Sequence, residues 1–460
     1  LVGIKGVGMT SLATYLQQRG KNVWGSDLDE EFPTDRILKS KSISVLKGFD
    51  ENNISDDIDL LITTGAHGGL HNPEVVEAQR RGVRIRTQAE EVGHIMNAYE
   101  AGISVCGSHG KTTTSSLLAF VLKKYGLEAS HIVGTPDFTD SLGGEYAGIQ
   151  YFVAEADEYA NSPGIDNTPR FHFQQPKYVI CTNIEYDHPD VYSNLEAVED
   201  AFKKFFTLCA EKGGYIVYNT DQTELRKIAE VFPLTLSYGH SPDADIHISE
   251  IQNGEKTTFN IRIKGVDTGK WTLDIPGDHN VMNAAAVIAQ CHLLGLDLEK
   301  VKMILPHFKG AKRRFEKIFE KDTTYLFDDY AHHPTEIAAL VQAVRSRHPR
   351  KRILLVFQPH TYSRTQQLFH EFVKELSLAD VTYVLDIFGS AREKTSDTIS
   401  SREIVDAMKE KGNIYVKYSP DASLETDLAA DLHRGDIVIT AGAGDIYRHH
   451  PGIIKIIAAM

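Results

Sequence analysis

This sequence is poor in cysteine, in positive charge and in long apolar runs, and each shortage removes a class of function. Its four cysteines, Cys106, Cys181, Cys209 and Cys291, show no C-x-x-C spacing. Neither a zinc knuckle nor a disulfide framework is expected, and the thiols read as small buried residues in a reducing cytoplasm. Lys and Arg total 49 against 63 Asp and Glu, giving a net charge of −14. A nucleic-acid partner would call for a basic stripe, so none is expected, and small-molecule chemistry is favoured. No apolar stretch approaches the roughly 20 residues of a membrane-spanning helix, and the opening lacks the charged-then-apolar pattern of a secretory leader. No membrane partner is expected. The chain opens at Leu1, and further residues of a first strand are expected upstream of it. Repeats and low-complexity segments are also missing.

What is present is ordinary globular material, 42% hydrophobic and 24% charged over 460 residues, enough for about three domains at roughly 150 residues each. Its most informative stretch is Gly107-Ser108-His109-Gly110-Lys111-Thr112-Thr113-Thr114, between the β-branched run Ile103-Ser104-Val105 and an apolar-periodic segment from Leu117 to Leu122. Strand, glycine loop and helix in that order make a phosphate cradle. The glycines let backbone N–H groups turn toward an anion, the helix N-terminus adds its positive dipole end, and Lys111 can neutralise a β/γ-phosphate. Thr112 offers a hydroxyl to Mg²⁺. The spacing departs from an ordinary Walker A loop, since Val105 stands at the first glycine position. A helix-capping turn is the plainer reading, but it leaves Lys-Thr-Thr unexplained.

The rest of the chain repeats one theme, polar clusters after apolar runs. Residues 1–11 carry Gly3, Gly6 and Gly8 ahead of a helical pattern, with Asp27 about 20 residues beyond, as in a Rossmann-type βα turn. Ser11 stands where a dinucleotide fingerprint has its third glycine. Glu155 and Asp157 follow a run from Phe152, and the period of two points both the same way at a strand's carboxyl end. Glu185, Asp187 and His188 follow a run from Tyr178, and together the two clusters suggest Mg²⁺. Residues 233–275 alternate as antiparallel hairpins. Asn280 and Asn283, three apart, share a helix face able to bond a base or ribose. After the basic Lys312-Arg313-Arg314, three strand ends carry Asp328 to His333, Gln358 to Arg364 and Ala441 to Asp445. On one sheet edge these would line a ligand crevice. The predicted class is α/β in three domains: a Rossmann-like 1–98, a central P-loop-type α/β domain 99–311 with a small antiparallel sheet added, and a Rossmann-like 312–460.

The loop at 107–114, Glu-Ala-Asp-Glu at 155–158, Asn-Ile-Glu-Tyr-Asp-His at 183–188, Gly-Asp-His-Asn at 277–280, Lys-Arg-Arg-Phe-Glu at 312–316 and Asp-Asp-Tyr-Ala-His-His-Pro at 328–334 resemble, in this order, the Mur ligases of peptidoglycan precursor synthesis. Gln-Pro-His-Thr-Tyr-Ser-Arg-Thr at 358–365 and Gly-Ala-Gly-Asp-Ile at 442–446 are similar to the member that adds L-alanine to UDP-N-acetylmuramate. The resemblance implies a cytoplasmic ATP-dependent ligase of cell-wall biogenesis, serving cell shape and division. It implies ATP and two Mg²⁺ sites as cofactors, UDP-N-acetylmuramate and L-alanine as substrates, and a monomer or a weak dimer. Carried over residue by residue, Gly107 to Thr113 cradle the phosphates, with Lys111 on the β/γ-phosphates. Thr112 and Glu155 bind one Mg²⁺, and His188 helps bind a second. Asn280 and Asn283 hold adenosine, with Arg314 and Asp329 also on the nucleotide. His332 and Arg364 address the amino acid, His360 the muramyl group, and Gly6, Gly8, Met9 and Asp27 the UDP moiety. Lys111, His188, His332 and Arg364 form the catalytic set.

Some stretches point elsewhere in the family. Thr361 stands where many alanine ligases carry arginine, and residues 66–71 and 137–140 also depart from the expected substrate-facing loops. The length of residues 160–177 and Glu-Ala-Asp-Glu-Tyr are more like the recycling ligase that attaches L-Ala-γ-D-Glu-meso-diaminopimelate to the same sugar nucleotide. Lys203 lies where some relatives carry a carbamylated lysine, though beside Phe202 and Phe205 it reads as a solvated lysine on an amphipathic helix. Two readings outside the family stay open, a nicotinamide dehydrogenase on the first glycine turn and a nucleotide-binding module without turnover.

Overall fold

The computed structural model describes residues 1–389 and 399–460. The chain forms two compact units. One holds residues 1–251, 258–274 and 280–311, and the other holds 252–257, 275–279 and 312–460.

The first unit begins with a Rossmann-like module. Strands Trp24–Asp27 and Ser44–Lys47 pair in parallel, as do Leu60–Thr63 and Arg84–Thr87. Val2 bridges Thr63 on one side and Ser26 on the other, so one residue does the work of the expected first strand. Helix Val7–Gln18 follows directly. Local sequence sets the other helix starts: Asn72 caps Pro73–Arg80, which has proline in its first turn, and Thr87 forms a capping box with Glu90 ahead of Gln88–Met96.

Beside this module lies a ten-stranded sheet in the order Val266–Leu273, Thr257–Ile263, Ile246–Gln252, Thr235–Gly239, Tyr215–Asn219, Tyr178–Cys181, Ala101–Cys106, Tyr151–Glu155, Ala129–Phe138, Ser141–Glu145. Its middle is parallel and its last pair antiparallel. Strand Ala101–Cys106 is buried along its whole length, as a strand covered on both faces must be. The hairpin strands expected in 233–275 join the same sheet at its edge, through the short parallel pairing of Tyr238 with Ile246 and Gly239 with His247.

Helix Val7–Gln18 packs tightly on the far edge of that sheet. Cβ atoms built on Gly143 and Gly144 would collide with Ser11, so only glycine permits the approach. Ser11 Oγ donates to Val133 O at 3.1 Å and Thr14 Oγ1 to Gly144 O at 2.9 Å. The residue that breaks the dinucleotide fingerprint therefore bonds the neighbouring sheet.

The second unit is built on six strands in the order Glu316–Lys321, Thr324–Asp329, Ile437–Ala441, Ile353–Phe357, Val381–Val384, Val416–Tyr418, all parallel except the first. The period of two splits its core. Ile353, Leu355 and Phe357 pack with Ile337, Leu340 and Val344 on one face, and Leu354 and Val356 pack with Leu428, Ile453 and Ile457 on the other. Each such side chain contributes about 1.5–3 kcal/mol of burial. The arrangement aligns the carboxyl ends of strands Thr324–Asp329, Ile437–Ala441 and Ile353–Phe357, whose polar sequels were expected to share one sheet edge. No helix among the described residues is long and apolar enough to cross a membrane.

Candidate functional site

The phosphate loop is stitched to the next strand end by its own polar atoms. Ser108 N donates to Asn183 O at 3.2 Å and His109 N to Asn183 Oδ1 at 2.8 Å. Asn183 Nδ2 and Thr182 Oγ1 both donate to His109 O, at 3.0 and 2.5 Å. Ser108 Oγ accepts Glu185 N at 2.8 Å. Gly110, at φ +83°, turns the chain into helix Lys111–Tyr125, and a Cβ there would stand 2.6 Å from Asn283 Oδ1. The first helical amides, of Lys111, Thr112 and Thr113, thus emerge beside Asn283, whose Nδ2 donates to Asn280 Oδ1 at 3.2 Å. The expected pairing of the two asparagines on one helix face is present beside the loop.

Lys111 is the charge at the centre. Its Nζ donates to Gly107 O at 2.6 Å, to Ser108 O at 3.2 Å and to the Glu158 carboxylate at 2.8 and 3.1 Å. Burial alone would pull the lysine down, but the Glu158 carboxylate, with Asp157 behind it, outweighs that and holds the ammonium above its ordinary range. Thr112 Oγ1 donates to Glu155 Oε1 at 3.2 Å, and Glu155 Oε2 accepts Gly134 N at 2.9 Å.

One expectation fails here. Glu155 ends its strand at Tyr151–Glu155, so the period of two does not extend to Asp157. Asp157 instead accepts Arg170 Nη1 at 3.0 Å and Tyr159 N at 3.2 Å. Burial would raise its pKa, yet Arg170 and Lys111 together hold it below the usual carboxylate range. His188, with φ +58°, brings its Nε2 to 3.5 Å from Glu158 and 3.7 Å from Asp187. Asp157, Glu158 and His188 can each offer a ligand atom, all within 4.8 Å of one another. Thr112 with Glu155, and His188 with these two acids, are donor sets of hard oxygens and one imidazole, which suit a divalent cation such as Mg²⁺. Sequence reasoning gave Glu158 no role, although it stands beside Asp157 in the motif Glu-Ala-Asp-Glu. Lys203 lies on the exposed side of helix Leu195–Ala210, as the solvated reading has it.

In the Rossmann-like module Gly6 is the N-cap of helix Val7–Gln18, so the amides of Val7, Gly8 and Met9 open its first turn. Met9's side chain lies in the apolar core with Leu12 and Ile62, which leaves only its backbone N–H for a ligand. Asp27 is buried; its carboxylate accepts Lys5 N at 2.7 Å and Leu28 N at 2.8 Å, and His67 Nε2 lies 3.9 Å away. It braces the glycine turn as well as facing it.

In the second unit Asp329 accepts Phe315 N at 2.7 Å and Ala331 N at 2.8 Å, and burial pushes its carboxyl up to about 6 despite Arg314 nearby. Arg314 stacks over Tyr330, 5.2 Å from the ring centre, and faces Glu336 at 3.8 Å. Arg313 is the structural arginine of the pair: it donates to Asp328 at 2.9 Å, Gly442 O at 2.6 Å and Gly444 O at 3.2 Å. His332, His360 and Arg364 come together. The two imidazoles are 6.0 Å apart, and Arg364 Nη1 lies 3.3 Å from His360 Nδ1. His360 also stacks on Phe388 at 5.8 Å, and Thr361 N donates to Phe388 O at 3.0 Å. Thr361 holds φ +69° and ψ 140°, a conformation β-branched residues rarely adopt.

A doubly α/β architecture with a lysine-bearing phosphate loop and carboxylates around it defines a nucleotide-dependent enzyme, and comparison gives its class. Models described as the Mur ligase family catalytic domain, the Mur ligase middle domain and the Mur ligase glutamate ligase domain match residues 1–100, 105–291 and 313–444. The chain belongs to the Mur ligase family. It is 36% identical over 454 residues to a UDP-N-acetylmuramate–L-alanine ligase of Desulfitobacterium hafniense, covering 97% of both chains. The crystal structure of a UDP-N-acetylmuramate–alanine ligase from Thermotoga maritima matches with a TM-score of 0.82 at 28% identity, over 100% of this chain and 99% of that one. A murein peptide ligase from Psychrobacter arcticus shares the fold, with a TM-score of 0.72 at 21% identity over 100% and 98% of the two chains.

Proposed function

We propose that this chain is an ATP-dependent acid–amino-acid ligase that joins L-alanine to the lactyl carboxylate of UDP-N-acetylmuramate, giving ADP and phosphate. The observation that carries this reading is the end-to-end likeness to a ligase of that activity, 97% of both chains at 36% identity. The chemistry agrees with it. A carboxylate cannot expel oxide, so it is first phosphorylated, and the amine of L-alanine then displaces phosphate through a tetrahedral intermediate. Such a reaction needs positioning and charge neutralisation more than a covalent side-chain nucleophile.

The residues divide accordingly. Along the loop Gly107 to Thr113, the amides of Lys111, Thr112 and Thr113 bind phosphate oxygens and Lys111 neutralises them, while the Ser108 and His109 amides are given to Asn183 and brace the loop. Asn280 and Asn283 take the adenosine, and Arg314 and Asp329 also serve the nucleotide. Thr112 and Glu155 would hold one Mg²⁺ and His188 would help hold a second, where the cation supplies further neutralisation of phosphate charge. Gly6, Gly8, the Met9 amide and Asp27 take the UDP group. His360 takes the muramyl group, and Arg364, beside His332, pairs with the carboxylate of the amino acid.

The test is phosphate release with ATP, Mg²⁺ and UDP-N-acetylmuramate, comparing L-alanine, other amino acids and L-Ala-γ-D-Glu-meso-diaminopimelate. Turnover with L-alanine supports the proposal. Turnover with the tripeptide alone would replace it with the recycling reading that the length of residues 160–177 suggested.

A further inference from the structure

We propose that Glu158 is a positioning residue that competes with nucleotide phosphates for Lys111, and that a divalent cation relieves the competition. The inference rests on the nucleotide reading of the phosphate loop and adds to it a reason for cation and nucleotide to bind together.

A lysine ammonium has three N–H donors. Those of Lys111 are committed to two main-chain carbonyls, Gly107 O and Ser108 O, and to the Glu158 carboxylate. The carbonyls are part of the loop and cannot leave without unmaking it. A phosphate oxygen can therefore gain Lys111 chiefly at the expense of Glu158. That carboxylate is only 2% exposed, and its main chain is fixed by Tyr192, whose hydroxyl donates to Glu158 O at 2.6 Å. The carboxylate is thus held where phosphate charge must arrive, in surroundings that screen poorly.

The same carboxylate has a second allegiance. Glu158 Oε1 lies 3.5 Å from His188 Nε2, and Asp157 completes a set of three potential ligand atoms within 4.8 Å. A cation held by His188 and the acids would draw the Glu158 charge toward itself, and Lys111 would then be released to the phosphate. Nucleotide alone would meet both the competitor and its repulsion.

The experiment is calorimetric titration of the full chain with ADP, in EDTA and in Mg²⁺, for the wild type and Glu158→Gln. Glutamine keeps the shape and an acceptor oxygen but removes the charge. The variant is expected to bind ADP in EDTA on the order of tenfold more tightly than the wild type, and the gain on adding Mg²⁺ should shrink by a similar factor. A bracing role for Glu158 would instead weaken binding in both buffers, and that result, or unchanged affinity in EDTA, overturns the inference. Scanning calorimetry checks the fold. If Glu158→Gln does not fold, Glu158→Asp, with its carboxylate drawn back from Lys111, is expected to shift metal-free affinity in the same direction by less, and no shift overturns the inference. Wild-type protein that binds no ADP even in Mg²⁺ would overturn the nucleotide reading and this inference with it, whereas normal wild-type binding with unshifted variants removes this inference alone.

Discussion

Gly107 offers the sharpest test of how the phosphate loop is held. Its φ of +131° lies outside what L side chains readily adopt, and a Cβ there would strike Thr182 Oγ1 and stand 3.0 Å from both Asn183 N and Asn183 O. The backbone term for Gly107→Ala is about 1–2 kcal/mol. The forced contact adds about 1–3 kcal/mol. Thr182, if pushed aside, gives up its bonds to His109 O and Cys106 O, at about 1 kcal/mol each. A loss of at least about 4 kcal/mol in urea unfolding is expected, with ADP affinity reduced at least about tenfold because the displaced amides no longer converge. The Thr182→Ala background separates the two terms. With the hydroxyl gone, the added cost of Gly107→Ala should fall by about 1–2 kcal/mol, a favourable coupling in a double-mutant cycle. Stability within about 0.5 kcal/mol of wild type for Gly107→Ala, or a cycle with no coupling, would refute the reasoning.

Three further outcomes are expected. Asp328→Asn removes the counter-ion of Arg313 and should destabilise the protein by about 3 kcal/mol in urea at neutral pH, a change under about 1 kcal/mol counting against the pair. Burial raises Asp328 less than His450 and Arg313 lower it, so its stabilisation is present above the unfolded carboxyl pKa near ~3.9 and lost as pH falls through the folded value; acid titration of the wild type should show that loss and the variant should not. Asp329, raised to about 6, binds its proton more tightly folded than unfolded, so stability should decline as pH rises through about 6, and a carboxyl NMR midpoint at 4 or below would contradict this. Thr361→Gly relieves the positive φ and should raise Tm while weakening KM for the amino acid, since the strained turn sets His360 and Arg364; a lowered Tm would show that there was no strain to release.

How far the sequence could be read depended on the range of the forces involved. Lys111, Asn280 with Asn283, and the polar ends after Asp329 and Phe357 were legible because strand period, helix spacing and glycine turns are local. The α/β order likewise follows from runs such as Ile353–Phe357. Glu158 was not legible, because its partner is 47 residues away and the strand ends at Glu155, after which the period of two says nothing. Met9 looked like part of a ligand turn, yet its side chain answers to the core that forms around it. Thr361 stood out only as a departure from the family's arginine; its positive φ gave no signal, since a β-branched residue there is what propensity argues against. The meaning of the 160–177 stretch also needed the fold. A Cβ on Gly65 or Gly69 would run into Asn161 or Ser162, so the hairpin is seated on the very loop whose sequence looked unusual.

The fit of Ser11 against Gly143 and Gly144 sets a rule for recombination. The helix and the sheet edge meet with no room for a methyl group, so a change on one side demands a matching change on the other. A chimera cut near residue 98, the natural seam by sequence, would bring a foreign helix against these glycines and misfit it. The exchangeable block is the first hundred residues together with strands Ala129–Phe138 and Ser141–Glu145, and grafts that respect it should stay folded where the simpler splice fails.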